Sequence, residues 1–167
     1  MLKFINFSIK FLIVFSILVL LFALSTLWYF SIGLPDYKKL SNYQPPISSR
    51  VYSEDGKLIA EYAIQKRLFV PYESIPEVII NSFLSAEDKN FFNHPGIDAK
   101  GILRAILNNL KNISQNKRLE GASTITQQVA KNFLLTNEVS IRRKIKEAIL
   151  AFRIERAYYK ERILELY

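Results

Sequence analysis

The feature that most constrains this chain is an uninterrupted apolar stretch near its N-terminus. From Phe11 to Ile32, 22 consecutive residues carry no charged side chain. At about 1.5 Å per residue, a helix of that length crosses the roughly 30 Å hydrocarbon core of a bilayer. A cleaved signal peptide is the alternative, but its apolar region is usually about 7–15 residues long. The stretch therefore predicts an uncleaved transmembrane anchor over residues 11–32, preceded by a cytoplasmic tail over residues 1–10.

The charges on either side of the anchor indicate its orientation only weakly. Lys3 and Lys10 precede it, whereas Lys38 and Lys39 follow it beside Asp36, so the positive-inside rule hardly decides. The simpler topology places a short basic tail inside the cell and the main domain outside. Aromatic residues at the outer end of the anchor are expected in the interfacial belt.

The rest of the chain is basic and contains no cysteine. The formal net charge is +8, and two of these positive charges lie before the anchor. A basic domain tethered to a bilayer indicates an anionic partner: lipid headgroups, a phosphate ligand or nucleic acid. The tether favours the first two. The absence of cysteine excludes thiolate metal sites and cysteine nucleophiles, and it is compatible with an oxidising outer compartment.

Beyond the anchor, the residue pattern predicts a linker, a hairpin and then a mainly α domain. Three prolines mark residues 33–48 as the linker. Asp55-Gly56, between two short β-prone runs, predicts a hairpin, and Lys66–Tyr72 is a candidate third strand. Apolar residues then recur at helical spacing. Helices are expected from Pro76 through Leu84, from Asp98 through Leu110, within residues 123–135, from near Ser140, and over residues 159–167, with a loop at residues 112–123.

Glu87 is the first candidate for chemistry. It lies four residues after Phe83 and four before Phe91, so on a continuous helix it would extend an apolar stripe. A carboxylate held out of water is a stronger base, which suits general-base catalysis. The alternative is that the helix frays at this point and Glu87 meets water. The neighbouring Asp88 is rotated by about 100° from it.

Two further segments carry polar groups at helical spacing. Thr124, Gln128 and Lys131 form one row, which suggests a surface facing a ligand; an ordinary solvent-exposed face is the alternative. The segment "RRKIKE" places four bases in five positions, with Arg143 and Glu147 four residues apart. A helix-stabilising ion pair would explain that spacing, although base before acid is the less favourable order. A phosphate group would relieve the repulsion among the bases, and Glu147 among them is expected to stay ionised.

Together these features describe one candidate site. Two carboxylates in different environments, here Glu87 as the general base and Glu147 as the ionised group, are typical of glycosyl chemistry. The bases indicate a phosphate or pyrophosphate leaving group, and the anchor indicates a lipid-linked substrate.

Four motifs in order make the chain resemble a known family: "AEDKNFFNHPGID", "GASTITQQVAKN", "RRKIKEAILA" and "KERILELY". They are similar to successive motifs of the peptidoglycan glycosyltransferases, glycosyltransferase family 51. The "RVYSEDGKLIAEY" segment is closer to the N-terminal part of class A penicillin-binding proteins. The resemblance covers residues 49–167. It implies a mainly α, lysozyme-like domain with a short N-terminal β-hairpin, preceded by one transmembrane helix.

The resemblance also implies an activity and its residues. It implies an inverting enzyme in the bacterial cytoplasmic membrane, with the catalytic domain on the periplasmic side. This enzyme would polymerise lipid II into β-1,4 glycan strands and release undecaprenyl pyrophosphate. The resemblance assigns roles to the following residues: Glu87 as general base; Glu147 at the donor side, with a Mg²⁺ or Mn²⁺ ion admitted there and no tightly bound cofactor; Lys131, Arg143 and Lys144 on pyrophosphate; Thr124, Gln128 and Asn132 along the substrate cleft; and Asp88, Phe91, His94 and Gly96 as structural residues.

The resemblance further implies partners and a mobile element. The expected partners are lipid II, the growing glycan strand and cytoplasmic membrane lipids. The resemblance also allows other cell-wall synthesis proteins as partners. Residues 98–119 would form a mobile flap that partly faces the membrane. Because the chain ends inside the last motif at Tyr167, the expectation is a fragment of a longer protein or a truncated gene product, and an inactive fragment is one open outcome.

Three other functions stay open at this point. A lysozyme-like hydrolase would use the same carboxylate, but cleaving a glycan needs no grip on pyrophosphate. A non-catalytic anchored scaffold for glycan or lipid would use the basic surface alone. Nucleic-acid binding is disfavoured, because aromatic residues are not interleaved with the bases and the tether holds the domain at a membrane.

Overall fold

A computed structural model describes residues 2–41, 43, 49–62, 70–136 and 138–167, with the backbone alone over residues 2–8. It confirms the predicted mainly α architecture with one short hairpin. The helices are α1 Leu2–Ser31, α2 Glu77–Glu87, α3 Ala99–Ser114, α4 Ile125–Leu134, α5 Ile141–Ala157 and α6 Lys160–Leu166. The strands are β1 Ser49–Tyr52 and β2 Leu58–Tyr62, and short 3-10 turns lie at Tyr37–Leu40, Tyr72–Ser74 and Phe91–Asn93.

Helix α1 contains the predicted anchor. Within the described part of the chain, Ile9–Ser31 is the one helical segment long and apolar enough to cross a membrane by length and composition. Within residues 9–31, its large apolar side chains other than Phe30 are at least half exposed, Phe22 by 74%, as suits a helix whose solvent is lipid. The helix begins at Leu2, so residues 2–10 of the predicted cytoplasmic tail are helical and continuous with the apolar segment. At its other end Ser31 accepts a hydrogen bond from the Arg153 guanidinium of α5.

The predicted hairpin is confirmed. Strands β1 and β2 pair antiparallel, with Val51 opposite Ala60 and Arg50 opposite Glu61. Gly56 closes the turn at a φ of +75°, a left-handed conformation that glycine adopts without steric cost. For the candidate third strand, residues 66–69 lie outside the described residues, and Tyr72 belongs to a 3-10 turn instead.

Each predicted helix forms, and α4 and α5 begin at residues whose side chains satisfy free backbone N–H groups. Ser140 caps α5 by accepting a hydrogen bond from the Arg143 backbone N–H at 3.1 Å. Thr124 and Gln127 form a reciprocal capping box at the start of α4. The predicted loop at residues 112–123 begins later than expected, since α3 continues to Ser114.

The core lies where α4, α5 and α6 meet. Its fully buried members include Val129 from α4, Ile154 from α5 and Ile163 from α6. Leu40, from the predicted linker, is buried in the same cluster with 1% of its surface exposed. The described part of residues 33–48 is therefore packed onto the domain and does not run free through solvent, while residues 42 and 44–48 lie outside the described residues.

The burial of Leu40 gives a stability prediction. Leu40→Ala removes side-chain volume from a packed site and should lower the free energy of unfolding by about 2–5 kcal/mol. Leu110→Ala is the matched control, because Leu110 is 65% exposed and should change that free energy by about 0.5 kcal/mol or less. Urea unfolding of the detergent-solubilised chain measures both. Equal effects of the two substitutions would show that the 33–48 segment is not part of the core.

Candidate functional site

A polar cavity of about 440 Å³ brings most of the predicted site residues together. It lies between the end of α2, the loop before α4, one face of α4 and the first turns of α5. The lining residues are Ala86, Glu87, Gly121, Ser123, Gln127, Gln128, Lys131, Arg143, Lys144 and Glu147. Both predicted carboxylates and all three predicted pyrophosphate-binding cations therefore line one space.

Glu87 lies on the open side of this cavity. Its Oε2 accepts a hydrogen bond from the Gln128 side-chain Nε2 at 2.8 Å. The expected desolvation is not found, because Glu87 is exposed and Phe83 is 50% exposed. The physical reason is that α2 ends at Glu87, so Phe91 belongs to a separate turn and points into the core instead of covering the carboxylate.

The adjacent Asp88 has the opposite surroundings. It is 5% exposed, and its two carboxylate oxygens each lie 3.0 Å from the His94 Nε2. Its Oδ2 also accepts a hydrogen bond from the backbone N–H of Ile125 at 3.0 Å, at the start of α4. On the other side of the ring, His94 Nδ1 accepts a hydrogen bond from the Gly96 backbone N–H at 3.1 Å. These contacts support the structural role predicted for Asp88 and His94, since both side chains are engaged away from the cavity.

Gly96 also holds the turn after α2 against the neighbouring helices. Its φ is +96°, and a Cβ atom there would lie 2.8 Å from the carbonyl carbon and oxygen of Ala151 on α5. The Gly96 carbonyl oxygen accepts a hydrogen bond from the Thr124 hydroxyl at 2.6 Å. The turn after α2 therefore contacts both α4 and α5 at close range, and only glycine fits there.

Thr124 and Asn132 were predicted to line the substrate cleft, but they are not among the residues that line this cavity. Thr124 is 2% exposed, and its hydroxyl oxygen caps α4 and donates to Gly96. A hydroxyl committed to a helix cap and a backbone carbonyl is not available to a substrate. Asn132 is exposed and is not among the residues that line this cavity. Of the predicted row, Gln128 and Lys131 reach the cavity.

Glu147 is a buried anion held between two cations. It is 1% exposed, with Arg143 Nη1 at 2.9 Å from its Oε1 and Lys144 Nζ at 2.8 Å from its Oε2. The Arg143 contact is an ion pair without hydrogen-bond geometry, so Oε1 has no hydrogen-bond partner among the described residues. Lys144 also donates to the Ser123 hydroxyl at 2.6 Å. The carboxylate holds both cations at the cavity wall.

Four lining residues were not predicted from the sequence, namely Ala86, Gly121, Ser123 and Gln127, and the last two carry polar side chains. Ser123 is set by its bond to Lys144, a tertiary contact with no local sequence signal. Gln127 is 5% exposed, and its Oε1 accepts a hydrogen bond from the Thr124 backbone N–H at 3.0 Å. The Thr-x-x-Gln spacing is a capping-box pattern and would have identified that contact.

The donor set does not fit a resident divalent cation. Both oxygens of Glu147 face cationic groups, and among the described residues no group of three His, Cys, Asp or Glu side chains could hold a metal ion. The Mg²⁺ or Mn²⁺ ion that the resemblance allows at Glu147 stays a prediction.

Comparisons with known proteins agree with the geometry. A family model described as Transglycosylase matches residues 55–167. The chain is 60% identical over 141 residues to penicillin-binding protein 1A of Rickettsia felis, covering 84% of this chain and 18% of that protein. It is 56% identical over 160 residues to the protein of the same name from Rickettsia typhi, covering 94% and 20% respectively. For that from Aquifex aeolicus the identity is 47% over 135 residues, covering 81% and 18%. The chain thus spans about a fifth of the length of these relatives.

The close approach at Gly96 gives a second stability prediction. Gly96→Ala should cost about 1–3 kcal/mol more unfolding free energy than Gly56→Ala. Both glycines have positive φ, at +96° and +75°, but a Cβ at Gly56 meets nothing within 4 Å. The comparison separates crowding from backbone strain. Urea unfolding measures both variants. Equal losses of unfolding free energy would contradict the close packing of Gly96 against Ala151 on α5.

Proposed function

We propose, from the premise that this chain belongs to the transglycosylase family, that it is a peptidoglycan glycosyltransferase of cell-wall synthesis. Its substrates would be lipid II and a growing glycan strand. One observation carries the proposal: an exposed carboxylate, Glu87, and a set of cations held by Glu147 open onto the same cavity. A glycosyl transfer that releases pyrophosphate needs both groups in one place.

The proposed reaction begins at Glu87. Its carboxylate takes the proton from the 4-hydroxyl of the acceptor sugar, and the oxygen attacks the anomeric carbon of the lipid-linked chain. A new β-1,4 C–O bond forms while the C–O bond to pyrophosphate breaks, with inversion at that carbon. Undecaprenyl pyrophosphate leaves with the bonding electrons. Gln128, bonded to Glu87 at 2.8 Å, orients the carboxylate toward the cavity.

The cations would stabilise the charge that develops on the leaving group. Lys131, Arg143 and Lys144 all line the cavity, and basic side chains bind phosphate oxygens through charge-assisted hydrogen bonds. Glu147 acts in this proposal as a positioning residue. Its buried carboxylate holds Arg143 and Lys144 in place before substrate arrives, which lowers the reorganisation that the transition state requires.

The membrane supplies the remaining context of the proposal. A span at Ile9–Ser31 would hold the cavity near a bilayer that contains the lipid-linked substrate. The proposed topology has the N-terminus in the cytoplasm and the domain on the periplasmic face. Other cell-wall synthesis proteins are proposed partners.

Helix α3 supports the proposed flap over residues 98–119. Its apolar side chains lie exposed along one side of the helix, as Leu103, Ile106, Leu107, Leu110 and Ile113, at 53–65%. A stripe of this kind suits insertion into a bilayer surface. The loop after α3 folds back onto the helix, because Asn109 Oδ1 accepts a hydrogen bond from the Glu120 backbone N–H at 2.7 Å.

Removal of the proposed base tests the function. Glu87→Gln should lower lipid II polymerisation by about 100-fold or more, because general-base catalysis contributes roughly 10²–10⁴-fold. Glu77→Gln is the matched control, since Glu77 lies at the start of the same helix, is exposed and does not line the cavity. Glycan product separated on a gel measures both variants against the parent chain.

The other outcomes of this assay select other functions. A Glu87→Gln chain that polymerises at the parent rate would contradict the base assignment. A parent chain that shortens preformed glycan would be a hydrolase. A parent chain that binds lipid II without forming product would be a scaffold.

A further inference from the structure

A second cavity lies on the opposite side of α5 from the candidate active site. It has a volume of about 280 Å³ and lies between the outer end of α1 and the first turns of α5. Its lining residues are Tyr29, Phe30, Ile32, Arg142 and Lys146. The proposed reaction uses none of them.

The geometry of α5 divides its four clustered bases into two pairs. Arg142, Lys146 and Arg153 are spaced i, i+4 and i+11, which places them on one face of a helix at about 100° per residue. Arg153 on that face bonds to Ser31 at the end of α1, so the face is turned toward the anchor. Arg143, Lys144 and Glu147 point to the other side, into the larger cavity.

The anchor-facing pair lacks the counter-charge that its neighbours have. Arg143 and Lys144 share the Glu147 carboxylate. In the described part of the chain, neither Arg142 nor Lys146 lies in an ion pair with an acid. Two adjacent cations without a carboxylate partner repel each other, and an anion between them would relieve that repulsion.

The other wall of this cavity identifies the kind of anion. Tyr29, Phe30 and Ile32 lie at the outer end of the apolar span, at the depth where aromatic residues meet lipid headgroups. Tyr29 and Phe30 form an edge-to-face pair with ring centroids 5.3 Å apart. A wall of aromatic and aliphatic side chains suits a glycerol backbone and the start of acyl chains, whereas a free phosphate ion would gain nothing from it.

We propose that this cavity binds the headgroup of an anionic phospholipid, with Arg142 and Lys146 on the phosphodiester and Tyr29 and Phe30 against the glycerol region. The bound lipid would join α5 to the anchor. Since α5 also carries Arg143 and Lys144, the lipid would set the height of the active-site cations above the bilayer. The proposal requires that the anchor is retained but does not depend on catalysis.

Lipid counting on the intact chain tests this proposal. The chain is purified in detergent with equal amounts of phosphatidylglycerol and phosphatidylcholine, and retained lipids are counted by native mass spectrometry. One phosphatidylglycerol should be retained in preference to phosphatidylcholine. Arg142→Gln with Lys146→Gln should weaken that retention by about tenfold or more, because each basic residue near an anionic surface is worth roughly fivefold.

Two matched variants keep the result specific. Lys38→Gln with Lys39→Gln removes the same charge from exposed positions just beyond the anchor. Neither residue lines the cavity, so in detergent, without an anionic bilayer surface, the change should leave retention of the single bound lipid within about twofold, because surface changes away from a site cost about 0.5 kcal/mol or less. Lys146→Arg should retain the lipid, since it keeps the charge. Unchanged melting temperatures of all variants confirm that each is folded.

Three results would overturn the proposal. The first is equal retention of the two lipids by the parent chain. The second is an equal loss in the Lys38/Lys39 and Arg142/Lys146 variants, which would mean diffuse surface attraction. The third is complete displacement of phosphatidylglycerol by inorganic phosphate, which would identify a phosphate site that does not need the lipid.

Discussion

The buried carboxylate of Asp88 is the contact on which the geometry of the candidate site depends. It joins the end of α2 to the turn that carries His94, six residues later, and to the first backbone N–H of α4 at Ile125, 37 residues later. Glu87 is the preceding residue, so its position relative to Gln128 on α4 follows from this contact. A buried carboxylate that lost one of these partners would cost about 1–3 kcal/mol, and the site would loosen with it.

A second buried carboxylate, Glu147, organises the cationic side of the cavity. Arg143 and Lys144 would repel each other without it, and α5 would present them in many rotamers. Held at 2.8–2.9 Å from the carboxylate oxygens, they form a fixed surface for an anion. The two carboxylates therefore have separate tasks. Asp88 sets where Glu87 lies, and Glu147 sets where Arg143 and Lys144 lie.

The sequence predicted the helices, among them the apolar N-terminal one, and the hairpin because their signals are local: periodicity, caps and an Asp-Gly turn. It placed Lys131, Arg143 and Lys144 in the site through motif resemblance, and the cavity contains them. It failed for the surroundings of Glu87 and for Thr124, because both depend on where α2 ends and how the next turn packs on α4. The burial of Leu40 and the bond from Lys144 to Ser123 are tertiary contacts that no local pattern encodes.

In the proposed function one cavity has two separate tasks, proton transfer at Glu87 and pyrophosphate binding at the cations. Equilibrium binding of undecaprenyl pyrophosphate to the chain tests it most directly. Lys131→Gln should weaken binding by about tenfold or more, since a hydrogen bond to a charged group contributes about 1.5–3 kcal/mol, whereas Glu87→Gln should leave the affinity within about twofold. If both substitutions weakened pyrophosphate binding equally, or if neither weakened it, the two tasks would not be separate.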